Sequence, residues 1–261
     1  MKKLLLLFVV LFATTAQAQH SDEELAKKLA NPVASLISLP FQNNIDFGIG
    51  DNNGTRYTLN IQPVLPISIN EKWNLIGRVV LPVISQYNIT GQGTNESGLS
   101  DAVVSGFFSP KASKNGLTWG VGPALLFPTG TDDFLTTKKF GAGPTAVILK
   151  QAKGITFGAL VNQIWSFAGN EDRADVNQMF LQPFFTYNWS SGGGVGFNME
   201  WTQNWEADTS TVWLNPTFSG LSSFGKQKIS FAVGPRFNLN APDGQDADLG
   251  FRAVLILLFP K

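Results

Sequence analysis

From Phe41 to the C-terminus, apolar residues recur at every second position. Tyr57, Leu59, Ile61, Pro63, Leu65, Ile67 and Ile69 alternate with Thr58, Asn60, Gln62, Val64, Pro66, Ser68 and Asn70. A period of two puts one set on each face of a β-strand, and the run is longer than most soluble strands. The alternation returns in Met179–Trp189, Val195–Trp201 and Ile229–Phe237. It predicts twelve strands, near 41–50, 56–69, 73–87, 99–111, 117–128, 140–151, 155–168, 175–189, 194–206, 211–221, 227–240 and 247–259. The predicted connections fall into two classes. Those at 70–72, 112–116, 152–154, 190–193 and 222–226 are tight, whereas those at 88–98 and 129–139 are long and polar. Shorter acidic or amide-rich loops follow at 51–53, 170–174, 207–210 and 241–246. An even strand count with short turns at one end and longer loops at the other is the pattern of a transmembrane antiparallel β-barrel. Both termini then lie on the periplasmic side.

Before this region the period changes. Residues 21–30 read as helix, with Ser21 and Glu24 forming a capping box. Asn31-Pro32 starts a second apolar helical piece through Ala34, Leu36, Ile37 and Leu39. Residues 19–40 are therefore a short helical N-terminal segment, a plug or periplasmic lid or simply an extension lying against the barrel. Residues 1–18 carry Lys2 and Lys3, the apolar run Leu4–Ala13 and the small-x-small site Ala16-Gln17-Ala18. This is a secretory signal peptide cleaved before Gln19. The apolar run is shorter than the ~20 residues of a spanning helix. The predicted organisation is 1–18 signal peptide, 19–40 N-terminal segment and 41–261 barrel.

Composition narrows the function classes. Only 15% of residues are charged, against 26 Gly, 14 Pro and 31 aromatic residues. That suits an all-β chain rich in turns. An exported chain lacking a spanning helix is either soluble or a membrane barrel, because only helices and closed barrels satisfy the backbone in lipid. The proposed outward faces carry no charge, which favours the barrel over a soluble sandwich. Trp73, Trp119, Tyr187 and Trp189 beside tight turns, with Tyr57 and Trp205 near outer loops, fit interfacial aromatic girdles. There is no Cys and a single histidine, His20. Thiolate chemistry and Cys-ligated metal sites are excluded, and a hydrolase would need its histidine base from outside the barrel. No catalytic residue, metal site or cofactor is expected. A net charge of zero gives no reason to expect nucleic acid. Eight prolines, among them Pro63, Pro82, Pro123, Pro144, Pro216 and Pro235, fall inside predicted strands, where β-bulges are the expected accommodation.

The stretches 31–50 (NPVASLISLPFQNNIDFGIG), 57–84 (YTLNIQPVLPISINEKWNLIGRVVLPVI) and 98–111 (GLSDAVVSGFFSPK) resemble a bacterial outer-membrane "transporter" barrel family. So do 140–151 (FGAGPTAVILKQ), 174–189 (ADVNQMFLQPFFTYNW) and the end, 251–261 (FRAVLILLFPK). The family is related to the MetA-pathway phenol-degradation group, and some of its members carry the misleading label neuromedin U. The resemblance spans nearly all of the mature chain. It implies an outer-membrane barrel and, more weakly, transport, and it carries no catalytic residues.

The predicted inward faces hold the candidate chemistry. Asp46, Asn60, Gln62, Arg78, Lys150, Gln182, Glu200, Arg236 and Arg252 are expected to line the lumen, with Gln42, Asn44, Asn74, Asn198, Thr202 and Asn238. Closure of the last strand on the first brings Arg236 and Arg252 towards Asp46. These charges either select solutes in a pore, as charge rings do, or pair with one another across a filled lumen. Acidic groups at 132–133, 171–175 and 243–248 read as solvated loops, since none has the spacing of a calcium loop. The function expected is a passive outer-membrane channel for small aromatic or hydrophobic solutes. The alternative is a plugged structural or binding barrel without flux. Its partners are outer-membrane lipid, a small-molecule solute and the barrel-assembly machinery.

Overall fold

The computed structural model describes residues 22–259. The expected signal peptide and cleavage site, His20 and Ser21, the expected cap, lie outside the described residues. After a short helix at 22–29 the chain is almost wholly strand, as the alternation requires. Among the described residues no helix is long and apolar enough to cross a membrane, so strands make any crossing.

The strands are β1 (Ile37–Ile49), β2 (Gly54–Ile61, resuming as Val64–Ser68), β3 (Trp73–Tyr87) and β4 (Asn95–Leu99, resuming as Ala102–Pro110). They continue as β5 (Leu117–Phe127), β6 (Lys139–Ala152), β7 (Ile155–Gly169) and β8 (Asn177–Asn188). The last four are β9 (Gly194–Asn204), β10 (Thr209–Phe224), β11 (Gln227–Asn240) and β12 (Leu249–Phe259). Each is antiparallel to its neighbours in sequence, and β12 closes on β1 from Ile37↔Phe259 to Phe47↔Leu249. With the two interrupted strands counted once each, this is a closed barrel of twelve strands.

Strand β1 begins at Ile37 rather than Phe41, and the second helical piece is absent, residues 32–35 forming turns and bends. The β12 ladder explains the difference. Ile37, Ser38, Leu39 and Pro40 lie opposite Phe259, Leu258, Leu257 and Ile256. Barrel closure thus outweighs local helix preference.

Apart from Pro82, the mid-strand prolines are not accommodated by bulges at their own positions. The ladder bonds lapse around Pro183 and around Pro216 and Pro235, and pairing resumes in the same register beyond them. At Pro63 the register also holds, because Gln62 N donates to Pro40 O and Val79 N to Pro63 O. Register shifts fall elsewhere, at 47/49, 140/141 and 212/213. Only Pro82 faces an extra residue, at Ser100-Asp101, where Ser100 N donates to Pro82 O at 2.9 Å. Glycine precedes three of these prolines, in Gly122-Pro123, Gly143-Pro144 and Gly234-Pro235. A Cβ on these glycines would collide with the carbonyls of Gly106, Gln163 and Pro216 respectively. The missing proline N–H lets the ladder open, and glycine lets the neighbouring backbone close in.

The two faces of the wall differ as period two demands. Ile67, Phe108, Val121, Ile148, Phe157, Phe197, Phe218, Phe231 and Phe251 are exposed on the outside. At the tight-turn end Trp73 packs edge-on against Trp119, and Tyr187 against Trp189. Near the opposite end Phe127 meets Phe140 in the same way. A closed barrel with an apolar outer belt between aromatic girdles is a protein of the bacterial outer membrane.

The N-terminal segment lies inside the tight-turn end. An i,i+4 pair, Lys28–Glu24, supports its helix. Asn31 then ends it, its Oδ1 accepting from Val33 N ahead of the helix-breaking Pro32. Leu25 and Leu36 bury themselves with Leu258 against Leu221 and Ile256. Val33 reaches furthest, into a cluster with Ile76, Phe107, Val147, Leu149 and Leu160 from four different strands. Polar ties fix the rest. Gln151 donates to Lys27 O at 2.8 Å, and Lys228 pairs with Asp22 at 2.9 Å.

Candidate solute site in the lumen

Strands β1, β9, β11 and β12 aim a set of charged and amide side chains at the barrel axis. Arg236 Nε donates to Asp46 Oδ1 at 2.9 Å, and its Nη1 to Glu200 at 3.3 Å. Its guanidinium also stacks over the Trp213 ring, 4.1 Å from the centroid. Arg252 donates to Asn44 Oδ1 at 2.8 Å and to Glu200 at 2.9 Å. Arg252 thus answers Glu200 and Asn44 rather than Asp46. Both arginines are buried. Glu200 therefore holds two guanidiniums while facing the lumen, and Gln182 approaches it at 3.5 Å. This is a closed set of ion pairs, as buried charge requires.

Arg78 on β3 stands apart from that set. Its Nη2 donates to Gln62 Oε1 at 2.6 Å. Among the described residues no carboxylate lies within 4.0 Å of it. Arg78, Asn60, Gln62, Gln182 and Glu200 all border one cavity of about 250 Å³, whose other wall includes Val80, Phe107, Leu160 and Phe180. A second cavity, about 290 Å³, shares Gln42, Gln62, Arg78 and Gln182 with the first and is bounded below by residues of the N-terminal segment. A third, about 430 Å³, opens among Thr136, Arg173 and Asp175 at the loop end and shares Gln178 with the first. Arg236 and Arg252 border none of these three spaces.

Lys150 requires a correction. It is exposed and shares its parity with exposed Ile148, whereas Thr145, Val147 and Leu149 point inward. Lys150 therefore leaves the barrel near the tight-turn rim, where a long cationic side chain can reach the headgroups. Both faces of β6 are apolar because Val33 fills the lumen beside Val147 and Leu149. The sequence pattern consequently loses its contrast there.

Several residues escape the sequence reading. Arg56, on the same face as Asn60, donates to Gln86, which in turn donates to Glu96. Its parity was the available signal. Asp101 sits at the β4 interruption and grips the loop at 128–138. Its carboxylate accepts from Thr136 Oγ1 (2.6 Å), from Thr137 N (2.7 Å) and from Thr137 Oγ1 (2.6 Å). Arg173 donates to the carbonyls of Asp133 and Thr136 in the same loop. The loop acids are engaged locally. A hydrogen bond from Lys138 holds the Asp133 carboxyl below the usual carboxylate range, and bonds from Lys139 and then Ser166 do the same for Asp175. Among the described residues no group of three or more His, Cys, Asp or Glu is arranged to hold a metal.

No protein-family model matches the chain, and no curated protein matches it in sequence. Solved structures do resemble it. The COG4313 outer membrane channel from Pseudomonas putida F1 superposes with a TM-score of 0.66 at 12% identity, covering 86% of this chain and 94% of that one. OmpT, an outer membrane protein of Vibrio cholerae, gives 0.43 at 10% identity, with 85% and 96% covered. OccK7 of Pseudomonas aeruginosa gives 0.32 at 8% identity, with 86% and 98% covered. The first likeness is one of fold, the outer-membrane β-barrel. The other two are too distant to argue from.

Proposed function

We propose that this barrel is a passive channel for small solutes, with the segment at 22–36 as a plug at its periplasmic end. One observation carries the reading. Three neighbouring cavities, the outer two each sharing lining side chains with the central one, are strung from the outer loops, past Arg78, to the N-terminal segment. A barrel serving only as a scaffold has no need of a row of cavities along its axis. The solutes are small and partly apolar, because Val80, Phe107, Leu160 and Phe180 face the amides across the central cavity. The resemblance to barrels of aromatic degradation points the same way. Within this reading, Asp46, Glu200, Arg236 and Arg252 form the rigid wall, and Arg78, Gln62, Asn60 and Gln182 meet the solute. Liposome swelling tests the reading. Vesicles containing the purified protein should swell in small amphiphilic solutes faster than empty vesicles, and equal rates would refute it.

The N-terminal contacts favour a second reading, a plugged structural or binding barrel without flux. Val33 and Leu25 are each buried, as core residues would be. Equal swelling rates, with a correctly folded barrel, are the outcome this second reading expects.

A further inference from the structure

Charge does not balance around the central cavity. Asp46 and Glu200 are taken up by Arg236 and Arg252. Arg56 is tied through Gln86 to Glu96. Arg78 is left over, half-buried, with the Gln62 amide as its contact partner, Glu200 attracting it only from beyond ion-pair distance, and a face on two cavities. A guanidinium carries five donors in a fixed fork suited to a carboxylate. An unpaired charge in such a place is costly unless a ligand answers it.

We propose that Arg78 anchors a binding site for small monocarboxylates with an apolar tail. The carboxylate takes the free donors of Arg78, and Gln62 steadies the guanidinium from the other side. Amides of Asn60 and Gln182 complete the polar half of the cavity. The tail lies on Val80, Phe107, Leu160 and Phe180. One cation in excess fits a monoanion. A dianion would lack a second free cation and would face Glu200. The cavity of about 250 Å³ is smaller than the ~300–1,000 Å³ typical of drug-sized ligands. The inference deepens the channel reading and rests on it for access to the site.

Calorimetric titration of the purified, detergent-solubilised protein with hexanoate tests it, with protein-free micelles as blank and hexanamide and acetate as comparison ligands. Hexanoate should bind at least tenfold more tightly than either hexanamide, which lacks the charge, or acetate, which lacks the tail. Arg78→Gln should weaken hexanoate at least tenfold and leave hexanamide unchanged, and Arg78→Lys should restore part of the loss. Equal binding of hexanoate and hexanamide, or of hexanoate and acetate, would overturn the proposal, as would an unchanged affinity in Arg78→Gln. The comparison among ligands needs only the parent protein, so it decides the matter even if the variant misfolds. Binding is read without flux. Swelling without hexanoate binding would sink this inference alone, and binding without swelling would sink the channel reading.

Discussion

At the scale of the residue, the barrel separates arginines that build from one that is free to bind. Arg252 is almost completely buried and meets Glu200 and Asn44. Removing one member of such a pair leaves the other desolvated and unanswered, at a cost of about 3–5 kcal/mol. Arg252→Gln should therefore lower barrel stability by that order, measured as a urea midpoint in detergent. Glu200→Gln should behave similarly, and the double variant should cost less than the sum of the singles. Lys150→Ala should change neither stability nor ion selectivity measurably, because its side chain lies outside. A selectivity shift in that variant would return Lys150 to the lumen. The inward residues of β1, β2, β9 and β11 were legible in sequence because polar positions alternate with apolar ones there, and on β12 Arg252 alone marks the inward face. Lys150 was not, since Val147 and Leu149 make the inner face as apolar as the outer one. The partner choice of Arg252 was also hidden, because Glu200 lies on a strand distant in sequence.

At the scale of the element, strands were read more faithfully than their interruptions. Period two and turn length locate all twelve strands to within a few residues. They cannot say whether a proline opens the ladder or shifts it, because that depends on the neighbouring backbone. Glycine before proline at 122, 143 and 234 was the local sign of close approach. The loop expected at 129–139 was visible as long and polar, but its inward clasp was not, because Asp101 meets it from another strand. Asp101→Ala removes the acceptor of three short hydrogen bonds. Each charged bond of this kind contributes about 1.5–3 kcal/mol. The variant should be cleaved within this loop several-fold faster by proteinase K added to intact cells, while the barrel stays folded. Unchanged cleavage would show that Arg173 suffices to hold the loop.

At the scale of the whole molecule, a wall that suits lipid encloses a row of cavities, and the N-terminal segment packs inside one end. The outward apolar belt and the β12–β1 closure follow from the alternation, so the architecture was largely readable. The course of the segment was open between plug, lid and extension, because leucine and valine suit a lumen, a lid or a groove equally well. The burial of Val33 against four strands supports the plug. Single-channel recording in planar bilayers is the most direct test, comparing the parent with a variant that keeps residues 1–18 and lacks residues 19–33. Heat-modifiability on gels first establishes that both are folded barrels. The account predicts small, measurable conductance in the parent and a several-fold rise on deletion. Two folded barrels that both fail to conduct would contradict it, and so would equal conductance in the two.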